Sequence, residues 1–430
     1  MHVGEAHLSP PCLTPNHGRG KVVFVLIIMF VLPVVNCAGG ASGTSGNKTD
    51  HLALLATKSA IRDPLGALNS WNHSRDHCHW EGIICGHWHR RFVALNLSSI
   101  GLAGTISSYI GNLSFLHSID LSTNKLGGQI PAEIGFLSRL SFLYLFQNLL
   151  IGEIPSSISN CLSLQCLSIG ENPLVGRIPP EFSSLSMLKR LFVHKNNFSG
   201  PIFSTIQNLT SLEELSAENN AFEGIIPDTI GQMKNLSYLA IGSNHLTGMI
   251  PLSIYNISSI TVVSLYYNHL NGNLPTDIAS RLPNLQVLEL DGNNFTGPLP
   301  VSLSNISSLT EIGLSSNKFT GKVPWNLGHL KNLQLLRIGD NSLGSGDAND
   351  LSFLSSLVNC TNLEILGLGA NYFGGVLPNT IANLSAKLIA LELHVNMISG
   401  RIPMTGTVGR LGRRWVMKLW PWCRWSENKR

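Results

Sequence analysis

The sequence predicts a solenoid, a stack of about 13 coils in which each coil repeats the one before it. Three observations support this fold: an asparagine recurs mostly every 24 residues, each unit follows the pattern LxxLxLxxNxLxGxIP, and apolar residues alternate before the asparagine. A period of roughly 20 to 29 residues with this pattern is typical of solenoids. The recurring residues are Ile100, which replaces the asparagine in the first unit, and Asn124, Asn148, Asn172, Asn196, Asn220, Asn244, Asn268, Asn293, Asn317, Asn341, Asn371 and Asn396.

Each part of the repeat has an expected structural role. In one unit Leu239 and Ile241 alternate with outward-facing residues, as in a strand of about three residues. Asn244 is expected to satisfy backbone groups in the turn that follows, because its amide both donates and accepts, and to stack on the next asparagine. A glycine four positions later, present in 12 of 13 units, is expected where the backbone approaches closely, and a proline ends the unit. Because one unit cannot bury its own apolar face, neighbouring coils and end caps must supply stability.

Segment 1–40 has the organisation of a secretory signal peptide. Arg19 and Lys21 precede an apolar run from Val22 to Val35, and small residues follow. These 14 residues are fewer than the roughly 20 that span a membrane, which favours a cleaved signal, although the long charged region keeps a membrane anchor as an alternative. We therefore predict entry into the secretory pathway and a location outside the cell or on the plasma-membrane surface.

Glycosylation sequons agree with this route, because they are far more frequent than a cytosolic chain requires. The alternative is that the repeated Asn-Leu-Ser/Thr phrase serves the fold, for instance by helping a turn or a helix to begin. The predicted acceptors are Asn47, Asn72, Asn96, Asn112, Asn197, Asn208, Asn235, Asn256, Asn294, Asn305, Asn359 and Asn383.

The charge distribution argues against a nucleic-acid partner. The net charge is +4, but residues 406–430 hold seven Lys/Arg against one Glu, so the repeats carry no basic excess. Segment 405–430 also holds half of the tryptophans and breaks the repeat pattern. We expect this basic Trp-rich tail to be disordered and favour an out-of-frame end of a gene model over a membrane-surface segment.

Residues 41–92 are expected to form an N-terminal cap. Thr49 and Asp50 can begin a helix with one apolar face, and Asp63-Pro64 is expected to end it. Cys78 and Cys85 flank a tryptophan and are expected to pair in an oxidising compartment. Zinc is the alternative, because histidines crowd the segment at His73, His77, His79, His87 and His89, although they lack the usual ligand spacing.

The other cysteines do not suggest a pairing. Cys161, Cys166 and Cys360 lie in or beside repeat turns and are expected to be small buried residues or free thiols. Cys423 lies in the tail. Their connectivity stays open at the sequence level.

The chain resembles the extracellular part of plant leucine-rich-repeat receptor-like kinases, especially the group that includes immune receptors for microbial peptides. The resemblance covers roughly residues 48–403 and is specific to the family. Thr57 departs from the family's usual phenylalanine. The resemblance rests on the LxGxIP half of each repeat and on the cap phrases Ala53-Leu54-Leu55, Lys58-Ser59, Asp63-Pro64-Leu65-Gly66, Leu68-Asn69-Ser70-Trp71-Asn72 and Cys78-His79-Trp80-Glu81-Gly82-Ile83-Ile84-Cys85.

The resemblance implies a right-handed, β-rich α/β superhelix with a disulfide-stapled cap and repeats over residues 93–404. It also implies a peptide or protein ligand, a co-receptor kinase of the same repeat type, and no cofactor or metal. Relatives continue into a transmembrane helix and a Ser/Thr kinase, but VAIK, HRD and DFG motifs are absent from this sequence, so we do not expect an enzyme.

We therefore predict a ligand-recognition ectodomain that lacks the transmembrane and kinase parts, with a role in defence or development. The alternatives are a soluble decoy, an inhibitor of an extracellular enzyme, and a non-functional fragment. The identity of the ligand cannot be deduced from the scaffold.

Ligand contacts are expected on the concave face, four, two and one residues before each asparagine. Most of these residues are small, and the large or charged exceptions form a stripe that suits recognition of an extended peptide. An extra polar loop at residues 344–350 could contact a partner, although such loops also occur without a function. The predicted ligand-binding residues are Tyr144, Phe146, Gln147, Phe192, His194, Lys195, Glu218, Tyr266, Tyr267, Glu289, Asp291, Arg337 and Asp340.

Overall fold

The computed structural model describes residues 43–86 and 91–401. The predicted signal peptide at 1–40 and the tail at 405–430, with Cys423, lie outside the described residues, as do His87 and His89. None of the described helices is both long and apolar enough to cross a membrane.

The described residues form many short strands joined by short helices. The α-helices are α1 (Gly43–Ser59), α2 (Ile202–Ile206), α3 (Ile278–Arg281) and α4 (Leu354–Leu357). The 3-10 helices are His77–His79, Ser108–Asn112, Ala132–Phe136, Ser156–Asn160, Pro180–Ser184, Asp228–Gln232, Ile254–Asn256, Val301–Asn305, Leu327–His329 and Asn379–Asn383. The strands are β1 (Ile61–Arg62), β2 (Ile83–Cys85), β3 (Phe92–Asn96), β4 (Ala103–Thr105), β5 (Ser118–Asp120), β6 (Lys125–Gly128), β7 (Phe142–Tyr144), β8 (Leu149–Leu150), β9 (Cys166–Ser168), β10 (Val175–Gly176), β11 (Arg190–Phe192), β12 (Asn197–Gly200), β13 (Glu214–Ser216), β14 (Ala221–Ile225), β15 (Tyr238–Ala240), β16 (His245–Met249), β17 (Val262–Ser264), β18 (His269–Gly272), β19 (Val287–Glu289), β20 (Asn294–Pro298), β21 (Glu311–Gly313), β22 (Lys318–Gly321), β23 (Leu335–Arg337), β24 (Ser342–Leu343), β25 (Ile365–Gly367), β26 (Gly374–Val376), β27 (Ala390–Glu392) and β28 (Met397–Ser399).

One strand from every coil enters a single 14-stranded sheet, which we call the long sheet. It begins with β2, which pairs antiparallel with β3, and continues in parallel through the odd-numbered strands to β27. The 13 strands from β3 onward correspond to the 13 predicted units, so the solenoid prediction is confirmed. Within a strand such as β7, Leu143 is buried while its two neighbours are partly exposed, as the alternation predicted.

From β4 onward the even-numbered strands follow the turn in each coil, and together with β1 they form three lateral sheets. These contain four strands (β1, β4, β6, β8), eight strands (β10 to β24) and two strands (β26 and β28). A leucine-rich core fills each coil between these strands and the short helices, and the most voluminous buried side chains include Trp71, Phe182 and Phe222. Cys161 and Cys360 are buried in this core, where burial raises the pKa of each thiol to about 11.

The asparagines bind backbone groups and so connect successive coils. The Oδ1 atom of Asn244 accepts from the amide of Phe222 in the preceding coil at 2.9 Å. Its Nδ2 atom donates to the carbonyls of Ala217 at 3.0 Å, Ile241 at 3.2 Å and Gly242 at 3.1 Å. The predicted ladder is therefore present, but shared backbone groups, rather than contacts between asparagine side chains, link its members.

Backbone conformation explains the repeated glycine in every coil that has one, whereas close approach occurs only in some coils, such as that of Gly104, where a methyl group would lie 2.3 Å from the Ala60 carbonyl. Gly224 has φ of +93°, and a methyl group added there would lie 3.6 Å from the nearest atom, on Pro201. The expectation of a close backbone approach is therefore wrong for this coil. Left-handed φ is the shared requirement, since the glycine at this position has positive φ in every unit that has one, and a side chain is unfavourable in that conformation.

The N-terminal cap contains the Cys78–Cys85 disulfide, with Cα atoms 5.5 Å apart. Helix α1 begins at Gly43, before the predicted start at Thr49 and Asp50, so Asp50 lies inside the helix. Its buried carboxylate instead binds the Arg91 guanidinium at 2.8 Å and the amide of Phe92 at 3.2 Å, which joins the helix to the first coil.

The end of α1 also differs from the prediction. The helix ends at Ser59, four residues before Asp63. The Asp63 carboxylate accepts from the amides of Ala67 and Leu68 at 3.0 and 2.7 Å, and therefore stabilises the following turn rather than the helix end.

Candidate functional site

The solvent-facing side of the long sheet is the candidate site. Successive strand residues point to opposite faces of the sheet. Where the residue five positions before the asparagine is buried, the residues six, four and two positions before the asparagine lie on the solvent-facing side. We call this surface the recognition face. Parallel pairing in register places equivalent residues of successive coils side by side, as in Tyr238 beside Val262 and Ala240 beside Ser264.

The structure places the predicted ligand-binding residues in three columns, two on this face and one in the turn at its edge. Four positions before the asparagine, at strand ends, are Tyr144, Phe192, Glu289 and Arg337. Two positions before it are Phe146, His194, Glu218, Tyr266 and Asp291. Immediately before it, with positive φ and exposed side chains, are Gln147, Lys195, Tyr267 and Asp340.

The sequence reasoning missed a fourth column, six positions before each asparagine. This column includes Phe142, Arg190, Glu214 and Tyr238, all partly exposed. The sequence contains the signal for this column. Its residues directly precede the inward-facing apolar residue of each strand, just as the predicted residues four positions before the asparagine directly follow it. Their side chains enlarge the stripe and change its charge.

The N-terminal part of the stripe is aromatic. The rings of Phe142 and Tyr144 stack with centroids 6.4 Å apart. Burial raises the pKa of the Tyr144 hydroxyl, which also contacts the thiol of Cys166. Burial likewise raises the pKa of that thiol to about 11, so Cys166 belongs to the floor of the face and is held as a neutral thiol.

The middle of the stripe carries ion pairs between neighbouring coils. Lys195 binds Glu171 at 2.8 Å, Lys189 binds Glu213 at 2.9 Å, and Arg190 lies 3.4 Å from Glu214. These pairs neutralise much of the charge where they occur. Exposed pairs of this kind contribute little to stability, so a ligand can replace one partner at a small cost.

Two rings that stand two positions before an asparagine, those of His194 and Tyr266, lie over glycines of the preceding coil. A methyl group on Gly170 would lie 2.7 Å from the ring of His194, and one on Gly242 would lie 2.3 Å from the ring of Tyr266. The hydroxyl of Ser216 hydrogen-bonds His194 Nδ1 at 3.0 Å, and burial lowers the pKa of this histidine. The glycines therefore allow these rings to lie along the sheet.

Tyr266 and Tyr267 form an edge-to-face pair with ring centroids 5.8 Å apart. Tyr267 is 55% exposed, whereas Tyr266 is half-buried and its hydroxyl lies 3.5 Å from Asn219 Nδ2, two coils away. Burial, with the nearby Glu218 and Glu289 carboxylates, raises the pKa of Tyr266 to about 12. At neutral pH it therefore acts as a hydrogen-bonding phenol.

The C-terminal part of the stripe combines two carboxylates with a guanidinium. Arg337 Nη2 lies 3.7 Å from Glu289 and 3.6 Å from Asp291. Burial raises the pKa of Asp291, while Arg337 and the Ser315 amide act in the opposite direction. A side chain on Gly313 would collide with the Asp291 carboxylate, so this glycine makes room for the cluster.

The cap offers one group with metal-ligand spacing among the described residues, formed by His77, Cys78 and Cys85. Both sulfurs are joined in the disulfide, so they are not thiolates that could bind zinc. The pairing therefore argues against the zinc alternative.

The predicted glycosylation sites are mostly exposed. Several lie at the ends of short helices, such as Asn112, Asn256 and Asn383, rather than at their starts. The suggested role in helping a helix to begin is therefore wrong for these three. Exposed side chains are Asn96, Asn112, Asn197, Asn208, Asn235, Asn256, Asn305, Asn359 and Asn383, while Asn72 and Asn294 are half-buried and the side chain of Asn47 lies outside the description.

Two family models match parts of the chain. Residues 47–86 match the leucine rich repeat N-terminal domain. Five further segments match the Leucine Rich Repeat family, at residues 115–137, 163–185, 211–233, 284–306 and 308–330.

Similar proteins include plant receptor kinases. The chain is 50% identical over 74 residues to the LRR receptor-like serine/threonine-protein kinase EFR of Arabidopsis thaliana, an alignment that covers 17% of this chain and 7% of that protein. Alignments to the curated relatives span only 6 to 8% of their lengths.

Two solved structures extend the similarity to most of the chain. One is the Arabidopsis receptor kinase HAESA in complex with the peptide hormone IDA and the co-receptor SERK1, with 26% identity, a TM-score of 0.58, and coverage of 84% of this chain and 76% of that one. The other is a leucine-rich-repeat protein of Leptospira interrogans, with 31% identity, a TM-score of 0.55, and coverage of 69% and 70%.

The fold and the repeated face define a leucine-rich-repeat solenoid, and the chain belongs to the leucine-rich-repeat family. Its N-terminal domain and repeats are similar to those of the extracellular part of plant receptor-like kinases.

Proposed function

We propose that this chain is the extracellular ligand-recognition region of a plant leucine-rich-repeat receptor-like kinase, and that it binds an extended peptide along the recognition face. The observation that supports this function most strongly is the stripe itself. Aromatic and charged side chains from Tyr144 to Arg337 lie on one continuous sheet, among small residues and glycines. Anchors of this kind on a small-residue surface are typical of recognition sites.

The length of the stripe suits a peptide of moderate size. Tyr144 and Arg337 lie eight coils apart in the parallel sheet. With neighbouring strands about 4.8 Å apart, the stripe is roughly 38 Å long. An extended chain of about 12 residues spans the same distance.

Similar proteins support a shared mode of binding. The related HAESA structure contains a peptide hormone and a co-receptor, and we propose the same two classes of partner here. The peptide would contact the recognition face, and a co-receptor kinase would bind the resulting complex. A role in defence or development, and the decoy, inhibitor and fragment alternatives, stay predictions.

The proposal is tested with a display library of random 12-residue peptides, selected on the secreted chain. Selected peptides are synthesised, and their affinity is measured by calorimetry for the wild type and for the triple variant Phe192→Ala, Tyr266→Ala, Tyr267→Ala. Because aromatic anchors commonly dominate such interfaces, we expect at least a roughly tenfold loss of affinity.

The matched control replaces three aromatic residues outside the long sheet, namely Tyr109, Phe136 and Trp325, which are 55%, 66% and 69% exposed. This variant should bind the peptides like the wild type. Unchanged affinity in the recognition-face variant, or failure of the library to yield any binder, would exclude peptide binding along this face. Thermal unfolding of both variants checks that the solenoid is intact.

A further inference from the structure

One predicted glycosylation site differs in position from the others. Among the sequon asparagines in the described part of the chain, Asn96 alone lies in a strand of the long sheet, at the end of β3. Its side chain is exposed and stands four positions before Ile100, in the same column of the recognition face as Tyr144. Other sequon asparagines, such as Asn112 and Asn256, lie at the ends of short helices. A group attached to Asn96 would therefore lie on the recognition face.

The fold uses only the oxygen of the Asn96 side chain. Its Oδ1 atom accepts from the amide of Ser98 at 3.1 Å and from the Ser98 hydroxyl at 2.8 Å. In the next coil the equivalent residue is Asp120, whose Oδ1 atom accepts in the same way from the amide and hydroxyl of Ser122 at 3.0 and 2.6 Å.

An aspartate therefore supports this turn as an asparagine does, and the amide nitrogen is not required for it. Within residues 43–86 and 91–401, the Nδ2 atom of Asn96 has no hydrogen-bond partner. The nitrogen that a glycan would need is thus both exposed and unused by the fold.

The first two coils of the recognition face differ from those that follow. Asn96 pairs with Asp120 in the neighbouring strand, and the small residue Ser118 begins that strand. Aromatic side chains of this face begin in the third coil, where Tyr144 pairs with Asp120. Two strand spacings, or about 10 Å, separate Tyr144 from Asn96. The stripe of large anchors therefore begins directly beyond the surface around Asn96.

We propose that Asn96 carries an N-linked oligosaccharide that covers the first two coils of the recognition face and sets the N-terminal limit of peptide binding. In the secretory pathway the oligosaccharide comes from a lipid-diphosphate donor. The Nδ2 atom bonds to C1 of the first sugar and loses a proton, while the C1–O bond to the diphosphate breaks and the lipid diphosphate leaves. A branched oligosaccharide is bulky enough to cover two strand spacings. This inference rests on the proposed extracellular peptide-binding function and adds its boundary.

The first measurement is the occupancy of the site. The chain is secreted from cultured eukaryotic cells as the wild type, as Asn96→Asp and as Ser98→Ala, and an amidase releases the glycans in isotopically labelled water. Mass spectrometry should find labelled aspartate at position 96 in the wild type. Ser98→Ala lacks the sequon and should keep an unmodified asparagine there. Asn96→Asp copies Asp120, so it removes the glycan and keeps the oxygen that the turn uses. An unmodified Asn96 in a chain whose other sequons are occupied would overturn the proposal.

The second measurement is the accessibility of the surface beside the glycan. Ser118→Cys places a thiol in β5, next to β3, and Val262→Cys places one far along the same sheet, in β17. Both positions are partly exposed. A bulky polyethylene-glycol maleimide should react at position 118 about fivefold more slowly, or slower still, in the glycosylated chain than in the Asn96→Asp or Ser98→Ala background. Position 262 should react at the same rate in all three.

The matched control for accessibility is Thr210→Ala, which removes the sequon at Asn208, outside the long sheet. This change should leave position 118 as slow to react as it is in the chain with every sequon. Equal rates at position 118 with and without the glycan on Asn96 would show that the sugar does not cover the neighbouring coil.

The selected library peptides separate this inference from the proposed function. Their affinity should differ by less than about twofold between the wild type and Ser98→Ala, because the stripe from Tyr144 onward lies beyond the glycan. A gain in affinity of about tenfold on removal of the glycan would show that the sugar extends over the stripe, and would contradict the proposed limit. A library that yields no binder would overturn peptide recognition and its limit, whereas occupancy and accessibility at Asn96 would still decide the glycan.

Discussion

The long sheet and the lateral sheets are made by the same coils, yet only the long sheet is continuous. Every coil contributes three or more residues to the long sheet, in register with the next coil. The lateral sheets break twice, once between β8 and β10 and once between β24 and β26. Within this chain the buried strand residues vary little from coil to coil, whereas the segment after the asparagine includes both a proline and an insertion.

The first break has a local cause. In other coils the residue after the asparagine donates its amide to the preceding coil, as Asn197 does to the Leu174 carbonyl at 2.8 Å. Pro173 occupies this position in the coil of β10 and has no N–H to donate. Only an isolated bridge between Gly152 and Leu174 remains there.

The second break coincides with the extra loop at residues 344–350. The loop is ordered around Asp350, whose buried carboxylate accepts from the amides of Ser345 at 2.9 Å, Asp347 at 3.0 Å and Gly374 at 3.1 Å. Since Gly374 begins β26, the aspartate connects the loop to the two-stranded sheet. The proposed partner-contact role of the loop stays a prediction.

The largest loss of stability is expected from replacing Asn244, whose side chain binds Phe222 in a lateral strand and three carbonyls that follow strands of the long sheet. Asn244→Ala removes four hydrogen bonds and leaves the amide of Phe222 and three carbonyls without this partner. We expect the free energy of unfolding to fall by about 3 kcal/mol or more, measured by urea denaturation.

The exposed Asn235 provides the control for this change, since it lies outside the ladder. Asn235→Ala should change the free energy of unfolding by less than about 0.5 kcal/mol. Equal effects of the two substitutions would show that the ladder does not stabilise the coils.

A smaller effect is expected at the N-terminal edge of the long sheet. Replacing both Cys78 and Cys85 with serine releases the short loop that the disulfide closes, and Cys85 itself lies in β2. We expect a loss of about 2 to 3 kcal/mol in the free energy of unfolding. Hydrogen exchange should increase in β2 and β3 but not in the eight-stranded lateral sheet. Faster exchange throughout the solenoid would contradict a role limited to this edge.

The extra loop should give a pH-dependent effect. Burial raises the pKa of Asp350, but bonds from the Ser345, Gly374 and Asp347 amides outweigh it, so the pKa lies below its ordinary value of 3.8. A lowered pKa means that the carboxylate stabilises the fold above pH 3.8 and that this contribution disappears as the pH falls through the folded-state pKa.

Asp350→Asn should therefore lower the free energy of unfolding by about 1 to 2 kcal/mol at pH 6. The difference from the wild type should shrink as the pH is lowered below 3.8. Denaturation of both proteins across this pH range measures it, with the exposed Asp228→Asn as the control. A difference that grows on acidification would have the wrong sign.

The sequence predicts the features that depend on local spacing. The 24-residue period, the buried position of Leu239 and the turn at Asn244 are encoded within one coil, and the structure has them in that form. The start of α1 was predicted wrongly because Asp50 has the residue type of a helix cap, while its partner Arg91 is 41 residues away. Local patterns do not reveal such a partner.

The orientation of Tyr266 depends on two coils at once. Tyr266 could be assigned to the recognition face from its own coil, but its orientation follows from Gly242 in the coil before. The same relation holds for His194 and Gly170, and for His394 and Gly369. Comparing equivalent positions of neighbouring coils would have indicated these pairs, whereas reading each coil alone could not.

The smallest change in stability is expected at Pro173, which lies between the four-stranded and the eight-stranded lateral sheets and lacks an N–H. Pro173→Asn restores an N–H that can donate to the Leu150 carbonyl, as Asn197 donates to Leu174. The new bond should contribute about 0.5 to 1.5 kcal/mol, but loss of proline increases the entropy of the unfolded chain by a similar amount in free energy. We therefore expect the free energy of unfolding to change by less than about 0.5 kcal/mol while the four- and eight-stranded sheets join. Hydrogen exchange measures this directly, since the new amide at position 173 should be protected to the same degree as that of Asn197. Rapid exchange at position 173 would mean that the coil geometry, rather than the missing donor, separates the two lateral sheets.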